Sequence, residues 1–451
     1  MNLLIIDQFD CGFAMDLGIK SAAHGHSVRV YMRNNFDGTR CENGDGMEEC
    51  FKKVVDWEPS MDWADLIFVT DNSRYIRQLE KYRLQGYPIY GCNVEGARWE
   101  QDREYGSAIF ERAGIETIPM QKFKKYDDAI ALVLNNKDKR YVSKPIGDGD
   151  KALSYCSKDW RDMVFMLNKW KKSNAYDGEF VLQEFHAGSE MAVGGWFGLG
   201  GFSKHFLENW EFKKLMSGDY GPATGEQGTV LRYTEKSLLA DKVLKPLEGF
   251  LHGIGYTGYI DVNCIIDKKG MPWPLEFTTR PGWPLFQIQQ ALHLGDPIEW
   301  MLDSINGKDT LKVRSDIAVG IVVSQPDYPY GTVKKKENTG YPIFDMTLDD
   351  ATKNIHLSEV KMGFSPDKNG KLTEPCLVTC GSYVMTVSGV GKTVEDARDA
   401  CYKHFKKKVC MINSPMVRDD IGKKLEDMLV RVILSSMGSE KIASPSNSMA
   451  R

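Results

Sequence analysis

The sequence predicts a protein of mixed α/β and α+β class: an N-terminal parallel-sheet domain, a central domain organised on a β-hairpin, and a C-terminal α+β domain. Three observations predict it. Strand-like and helix-like segments alternate at the start of the chain, the pattern of a parallel sheet with crossover helices. A hairpin pattern lies at Tyr259 to Trp283, and from Asp316 onward the composition turns back to strands. With 451 residues the chain has room for about three domains with sizeable cores.

In the N-terminal domain, expected over 1–115, Leu3 to Ile6 reads as a buried strand and Phe13 to His24 as a helix. Ser27 to Met32 and Asp65 to Val69 read as further strands, Arg74 to Leu84 as a helix and Pro88 to Gly91 as a last short strand. Ligands of such sheets bind at the carboxyl ends of the strands, which points to the loops Asp7 to Gly12 and Thr70 to Ser73. No G-x-G-x-x-G is present, so a dinucleotide is not indicated. Gly96 to Ala113 is expected to be one helix, stopped by Gly114.

The central domain is expected over 116–312. Tyr126 to Leu134 is helical in pattern, and Arg140 to Lys144 is a strand leading into Gly147, Asp148, Gly149, Asp150 and Lys151. Two glycines let a backbone fold over phosphates with its N–H groups inward, and Lys144 and Lys151 supply positive charge. A glycine-bearing hairpin turn explains the same residues. Glu179 to Phe185 and Glu190 to Phe197 read as strands around a His186 to Ser189 turn. Gly218 to Gly228, GDYGPATGEQG, reads as a long functional loop before a helical Glu235 to Ile254.

In the hairpin, Ile260 to Ile266 and Leu275 to Thr279 are the strands and Asp267 to Gly270 the turn. With the turn centred between Lys268 and Lys269, Asp261 falls directly opposite Glu276. Like charges so placed repel, and a divalent cation between them removes the repulsion. Hard oxygen ligands are what Mg²⁺ takes from a protein when it also binds phosphate oxygens. Alternation puts Asn263 and Thr278 on the same faces, adding neutral oxygens. A solvated carboxylate in a register shifted by one explains the same letters.

The C-terminal domain is expected over 313–436, with strands at Ala318 to Ser324, Leu377 to Thr379 and Tyr383 to Val387 and a helix at Val394 to Lys407. The tail 437–451 is Ser-rich, lacks a periodic apolar face and is expected to be disordered. Apolar content of 42 % and charged content of 27 % describe an ordinary soluble protein, and a net charge of -4 makes no electrostatic case for nucleic acid or an anionic membrane. The apolar start is halted by Asp7, and no run is long enough to span a bilayer. Ten scattered cysteines fit reduced thiols and a cytoplasmic protein, expected to be a monomer or small homo-oligomer.

The hairpin resembles the magnesium hairpin of the ATP-grasp enzymes, an Asp on one strand and L-E-x-N-x-R-x-G on the next. Asp261, Glu276, Arg280 and Gly282 match, and Thr278 stands where the family has Asn. The resemblance implies an ATP-grasp fold with its ATP subdomain at about 116–190. It also implies Mg²⁺ (or Mn²⁺) on Asp261, Glu276 and Thr278, and ATP held by Arg103, Lys144, Gly147, Gly149 and Lys151. Gln183, Glu184 and Phe185 match the hinge that bonds the adenine edge through backbone groups, and Glu190 the acid offered to the ribose.

From about residue 1 to about residue 422, order and spacing are similar to those of the glycinamide ribonucleotide synthetase (phosphoribosylamine–glycine ligase) family. GDYGPATGEQG resembles its G-D-T-G-P-N-T-G-G-M-G, and ERAGIETIP at 111–119, GVGKTVEDARDACY at 389–402 and VRDDIG at 417–422 resemble other segments of it. This implies a ligase that joins glycine to phosphoribosylamine with ATP, through an acyl phosphate, in purine biosynthesis. Arg280 and Lys144 would be its catalytic groups. Asp219, Gly221, Pro222, Thr224, Gly225, Arg280, Gly282 and Trp283 would face its substrates, a carboxylate such as glycine and an amine acceptor. The glycine loop and the 218–228 segment are candidate lids.

The departures from the family fall on one side. Its N-terminal G-G-R-E-H is replaced by Asp10, Cys11, Gly12, Phe13 and Ala14, its G-P-E by Thr70, Asp71 and Asn72, its C-terminal G-G-R by Gly381, Ser382 and Tyr383, and its G-D-P-E by Gly282, Trp283, Pro284 and Leu285. The first ATP lysine appears as Arg103, which holds phosphate with bidentate geometry rather than as a point charge. Polar groups are thus lost where a sugar phosphate and an amino acid would sit, while the nucleotide side largely survives. A second expectation follows, the same chemistry with a different amine acceptor. A third, a non-catalytic nucleotide-binding protein, is opposed by the joint retention of Asp261, Glu276, Lys144 and Arg280. The lack of a Met-Lys-Met motif speaks against a biotin-dependent carboxylase subunit.

Overall fold

The computed structural model describes residues 1–7, 12–35, 38–146, 154–175, 178–330, 335–411 and 414–425. Gly147, Gly149 and Lys151, most of the Asp7 to Gly12 loop, and the 437–451 tail lie outside the described residues. Five parallel strands form the N-terminal sheet, in the order Lys52–Val54, Ser27–Met32, Asn2–Asp7, Leu66–Val69, Ile89–Tyr90. Leu3 and Ile5 pack into one core and Leu4 and Ile6 into another, so the central strand is buried on both faces and carries no polar alternation.

The helix expected over 96–113 is two helices, Val94–Gln101 and Arg103–Arg112. Asp102 breaks it. Its backbone is extended and its carboxylate accepts the Tyr105 N–H at 3.1 Å, which caps the second helix and starts it at Arg103. The segment expected to be helical over 235–254 is likewise divided, into Leu238–Val243, a 3₁₀ turn at Lys245–Leu247 and Glu248–Gly253, because Pro246 cannot continue a helix.

Met120–Phe123, Phe180–Glu184, Tyr141–Pro145 and Tyr155–Cys156 form a four-stranded sheet in that order. The helices Tyr126–Asn135 and Trp160–Ser173 cover it, giving this region its own core around Phe123, Val133, Leu167 and Phe180. Among the described residues the largest sheet has nine strands. Its path runs Pro272–Thr278, Gly258–Ile266, Ser189–Gly198, Phe206–Met216, Tyr220–Thr234, Ile317–Ser324, Tyr383–Gly391 and Ile355–Leu357, with Gly201–Phe202 beside Ser189–Gly198. The sheet is therefore continuous across residue 312. A further sheet joins Val360–Pro366, Leu372–Cys380, Thr339–Phe344 and Cys410–Met411. Among the described residues, no helix is long and apolar enough to cross a membrane.

Two imidazoles are held neutral in this fold. Lys20 Nζ lies 3.0 Å from Nδ1 of the fully buried His356, and Ser388 Oγ lies 2.9 Å from its Nε2, so the ring accepts from the lysine and donates to the serine. Burial and then Lys20 push the His356 pKa down, against the opposing pull of Asp16. Burial, then Lys20, pushes His293 down to about 3. The unfolded chain takes up protons below about 6.5 that these folded rings refuse, so stability is lost as pH falls through that value. At pH 5 the His293 contribution alone is about 2 kcal/mol. Thermal unfolding is expected to give a lower Tm at pH 5 than at pH 7, and equal values would contradict it.

Candidate active site

The hairpin that should carry the metal ligands forms, with a different register. Asp261 faces Thr278, and Asn263 faces Glu276. Asp261 is thus not directly opposite Glu276. The turn closes with Asp267 N–H on the Met271 carbonyl at 3.0 Å, and Gly270 takes a φ of 77°. A bulge between Asn263 and Cys264 then shifts the ladder further. The cause lies in Pro272 and Pro274, which donate nothing to the ladder and sit on the edge strand, where prolines and bulges are tolerated. Asp261 and Glu276 end as diagonal neighbours, a separation of about 7–8 Å.

Glu276 sits among cations. Arg103 Nη1 donates to its Oε2 at 2.8 Å, from the first turn of the helix that Asp102 starts. Burial would raise the Glu276 pKa, but Arg103, Lys144 and Lys213 hold it well below the usual carboxylate range. Lys144 is in turn pulled down to about 8 by its shielding from water, against the pull of Glu276. Arg103, Lys144, Gln183 and Glu276 line an open cleft of about 460 Å³ between the two central sheets, with Trp99 and Phe110 at its apolar end. Across from Glu276, Asn263 Oδ1 is buried and accepts no hydrogen bond. Among the described residues no group of three or more His, Cys, Asp or Glu could hold a metal ion. Mg²⁺ bound together with phosphates needs only one or two carboxylates, and an orphaned amide oxygen facing a carboxylate fits that demand.

The expected ribose acid, Glu190, accepts from Lys213 Nζ at 2.7 Å and Asn263 Nδ2 at 2.9 Å. Lys213, which no motif marks, therefore links Glu190 to the Glu276 cluster. Its strand, Phe206–Met216, was readable from the alternation of buried Trp210 and Phe212 with Glu211 and Lys213. At the expected hinge, the Glu184 and Phe185 N–H groups are taken by the carbonyls of Pro119 and Arg140, leaving carbonyls rather than donors for a base. Glu184 also pairs with Lys139, and Arg140 lies over the Phe185 ring at 3.7 Å.

The GDYGPATGEQG segment is not a free loop. Tyr220–Thr234 is a strand paired with Phe206–Met216, and the turn between them has left-handed residues at Gly218, Asp219 and Gly221. Asp219, expected on substrate, is ion-paired with Arg418 at 2.7 Å and with Lys424. This pins the turn to the VRDDIG segment, so the sequence similarity there reflects at least in part a structural clasp. Gly221, Pro222 and Gly225 lie along the first residues of the strand, and Thr224 Oγ1 donates to the Lys213 carbonyl at 2.8 Å.

Beyond the hairpin, Arg280 reaches Glu100 Oε1 at 3.2 Å, and Asn72 Nδ2 donates to Thr279 Oγ1 at 2.8 Å and to Glu100 Oε2 at 2.7 Å. The Thr70 to Ser73 loop thus meets the hairpin end, as expected for a loop at the carboxyl end of a parallel strand. Next along the chain, past Gly282, the Trp283 ring packs on Tyr383, tilted by 34° with centroids 3.6 Å apart, and Tyr328 packs on Tyr383 at 5.8 Å. Two separate departures from the family pattern, aromatic residues for an acid and an arginine, meet in space.

This arrangement, two β-sheets closing on a cation-lined cleft behind a parallel-sheet domain, is the ATP-grasp fold. No family model matches the chain. It is 27 % identical over 362 residues to the phosphoribosylamine–glycine ligase of Ralstonia nicotianae, covering 76 % of this chain and 80 % of that protein. The crystal structure of the phosphoribosylamine–glycine ligase of Thermotoga maritima superposes with a TM-score of 0.70 at 20 % identity, over 93 % of this chain and 100 % of that one. The biotin carboxylase domain of the Hydrogenobacter thermophilus 2-oxoglutarate carboxylase, solved with MgADP, superposes with a TM-score of 0.59 at 12 % identity, over 94 % and 97 %. The chain thus has the ATP-grasp fold and, over about three quarters of its length, is similar to phosphoribosylamine–glycine ligases.

Proposed function

We propose that the protein is an ATP-dependent carboxylate–amine ligase that works through an acyl phosphate, the activity named for its relatives being glycine joined to phosphoribosylamine. The observation that carries this is the gathering of Arg103 and Lys144 around Glu276 at one cleft, with Lys213 in electrostatic reach of the same carboxylate. Arg103 and Lys144 hold the phosphates, and Glu276 with Asn263 would hold Mg²⁺ (or Mn²⁺), Asp261 and Thr278 standing diagonal and adjacent. The bound metal would supply charge neutralisation at the phosphate oxygens. Arg280, steadied by Glu100, orients the carboxylate, and the surrounding sheets exclude water from the activated acid. No protein nucleophile is required, since the work is positioning and electrostatics. It is read as a cytoplasmic enzyme, which ten scattered cysteines and a metabolic substrate support.

The packing of Trp283 on Tyr383 favours a second reading, the same chemistry on another amine acceptor. ADP release in the presence of ATP, Mg²⁺, a carboxylate panel and an amine panel tests both. The expected result is release that needs a carboxylate and an amine together, with phosphoribosylamine bound weakly. Efficient glycinamide ribonucleotide formation would overturn the second reading, and release indifferent to both additions would overturn the first.

A further inference from the structure

Asp261 belongs to a second cluster. Its Oδ2 accepts from Asn209 Nδ2 and from the Tyr259 hydroxyl, both at 3.0 Å. Glu211 and Glu226 are in electrostatic reach of it, from the neighbouring strands Phe206–Met216 and Tyr220–Thr234. Glu226 stands where the family motif has glycine, so this carboxylate is a feature of the present chain. Three carboxylates here share Lys213, which is already bound to Glu190 at 2.7 Å and Glu211 at 3.0 Å. Burying an uncompensated carboxylate is costly unless a cation or donors meet it.

The oxygens around the cluster point to what is missing. Glu226 is 4 % exposed and Asn209 0 %, and Glu226 Oε1 and Asn209 Oδ1 accept no hydrogen bond. Asn209 is turned by its bond to Asp261, which fixes its oxygen as an acceptor with nothing to accept. Gln227 Nε2, next in the chain to Glu226, is an uncharged donor and does not offset the carboxylates. A Cβ built on Gly225 would meet no atom within 4 Å, so the approach beside Glu226 is open. Tyr328 donates to the Glu226 backbone carbonyl at 3.5 Å and packs on Tyr383, so the Glu226 backbone adjoins the aromatic group.

We propose that Glu226, with Asp261 and Glu211, binds the ammonium group of the amine substrate. An ammonium fits better than a second metal ion: it donates hydrogen bonds to spaced acceptors, whereas a metal without phosphates needs a tight set of ligands, which the described residues do not form. The proposal rests on the ligase reading and deepens it by naming the charge of the acceptor.

Propylammonium chloride serves as the probe, titrated calorimetrically into the full chain saturated with a non-hydrolysable ATP analogue and Mg²⁺. The expected result is binding that weakens tenfold or more in Glu226→Gln, while affinity for the analogue changes less than twofold. Glu226→Gly, which installs the family's own residue, gives the same loss and stands in if the Gln variant fails to fold. No propylammonium binding to the parent chain, or equal binding to parent and variants, overturns the proposal. So does loss of a bound Mn²⁺ in the variants, read by electron paramagnetic resonance without nucleotide. Failure of the ligase reading would show separately, as ADP release that no carboxylate and amine pair stimulates.

Discussion

Glu276→Gln is expected to lower ATP turnover by about 100-fold or more while leaving the fold intact. The substitution keeps shape and removes one formal charge. In the parent that charge meets Arg103 at 2.8 Å and is stabilised further by Lys144 and Lys213, so its loss leaves three cations against the phosphates without the group that sets their spacing. It also takes away the carboxylate proposed to hold Mg²⁺ opposite Asn263. Thr278→Ala should be milder, since a hydroxyl is at best a weak neutral ligand and Thr278 faces Asp261 rather than Glu276. ADP release and Tm measured side by side check this. Parent-like turnover in Glu276→Gln would remove it from the metal site.

Trp283→Asp is expected to change acceptor preference tenfold or more with the KM for ATP unchanged. The indole packs face-near on Tyr383, and its Nε1 is buried without a hydrogen bond, so the ring faces a protein surface that offers it shape and no polar partner. Losing this packing costs about 0.5–1.5 kcal/mol, read as a modest fall in Tm. The double variant Trp283→Asp with Tyr383→Arg restores both of the family's charges at once. It is expected to raise the use of phosphoribosylamine more than the two single changes combined, because the new acid and arginine would neutralise each other where a lone charge would be stranded. A drop in Tm with acceptor preference unchanged would make Trp283 a packing residue only.

Much of the frame was legible because it rests on local signals. The fully apolar Leu3 to Ile6, the strand at Ser27–Met32 and the helix at Phe13–Ala23 follow from composition and period, and the structure places them within a residue or two of expectation. The break at Asp102 was missed although an N-cap aspartate stands in the letters. Pro246 likewise marked the division of the later helix. The hairpin register differs from the count for two reasons: the turn is centred on Lys269, one position later along the ladder, and a bulge between Asn263 and Cys264 adds a second step, which counting from a turn cannot foresee. Lys213 lay in a strand whose alternation was visible and not used.

By itself the sequence determined the fold class and the likeness to phosphoribosylamine–glycine ligases, because these depend on periodicity, on glycine and proline at turns, and on motifs short in sequence. Only the tertiary structure decided which carboxylate keeps which company. Glu276 joins Arg103 and Lys144 from other elements, whereas Asp261, fifteen positions earlier in the same hairpin, joins Asn209 and Glu226. The order of strands in the large sheet places Ser189–Gly198 and Phe206–Met216 beside the hairpin. That order is set by which buried faces fit together across distant parts of the chain, and no stretch of residues carries it locally.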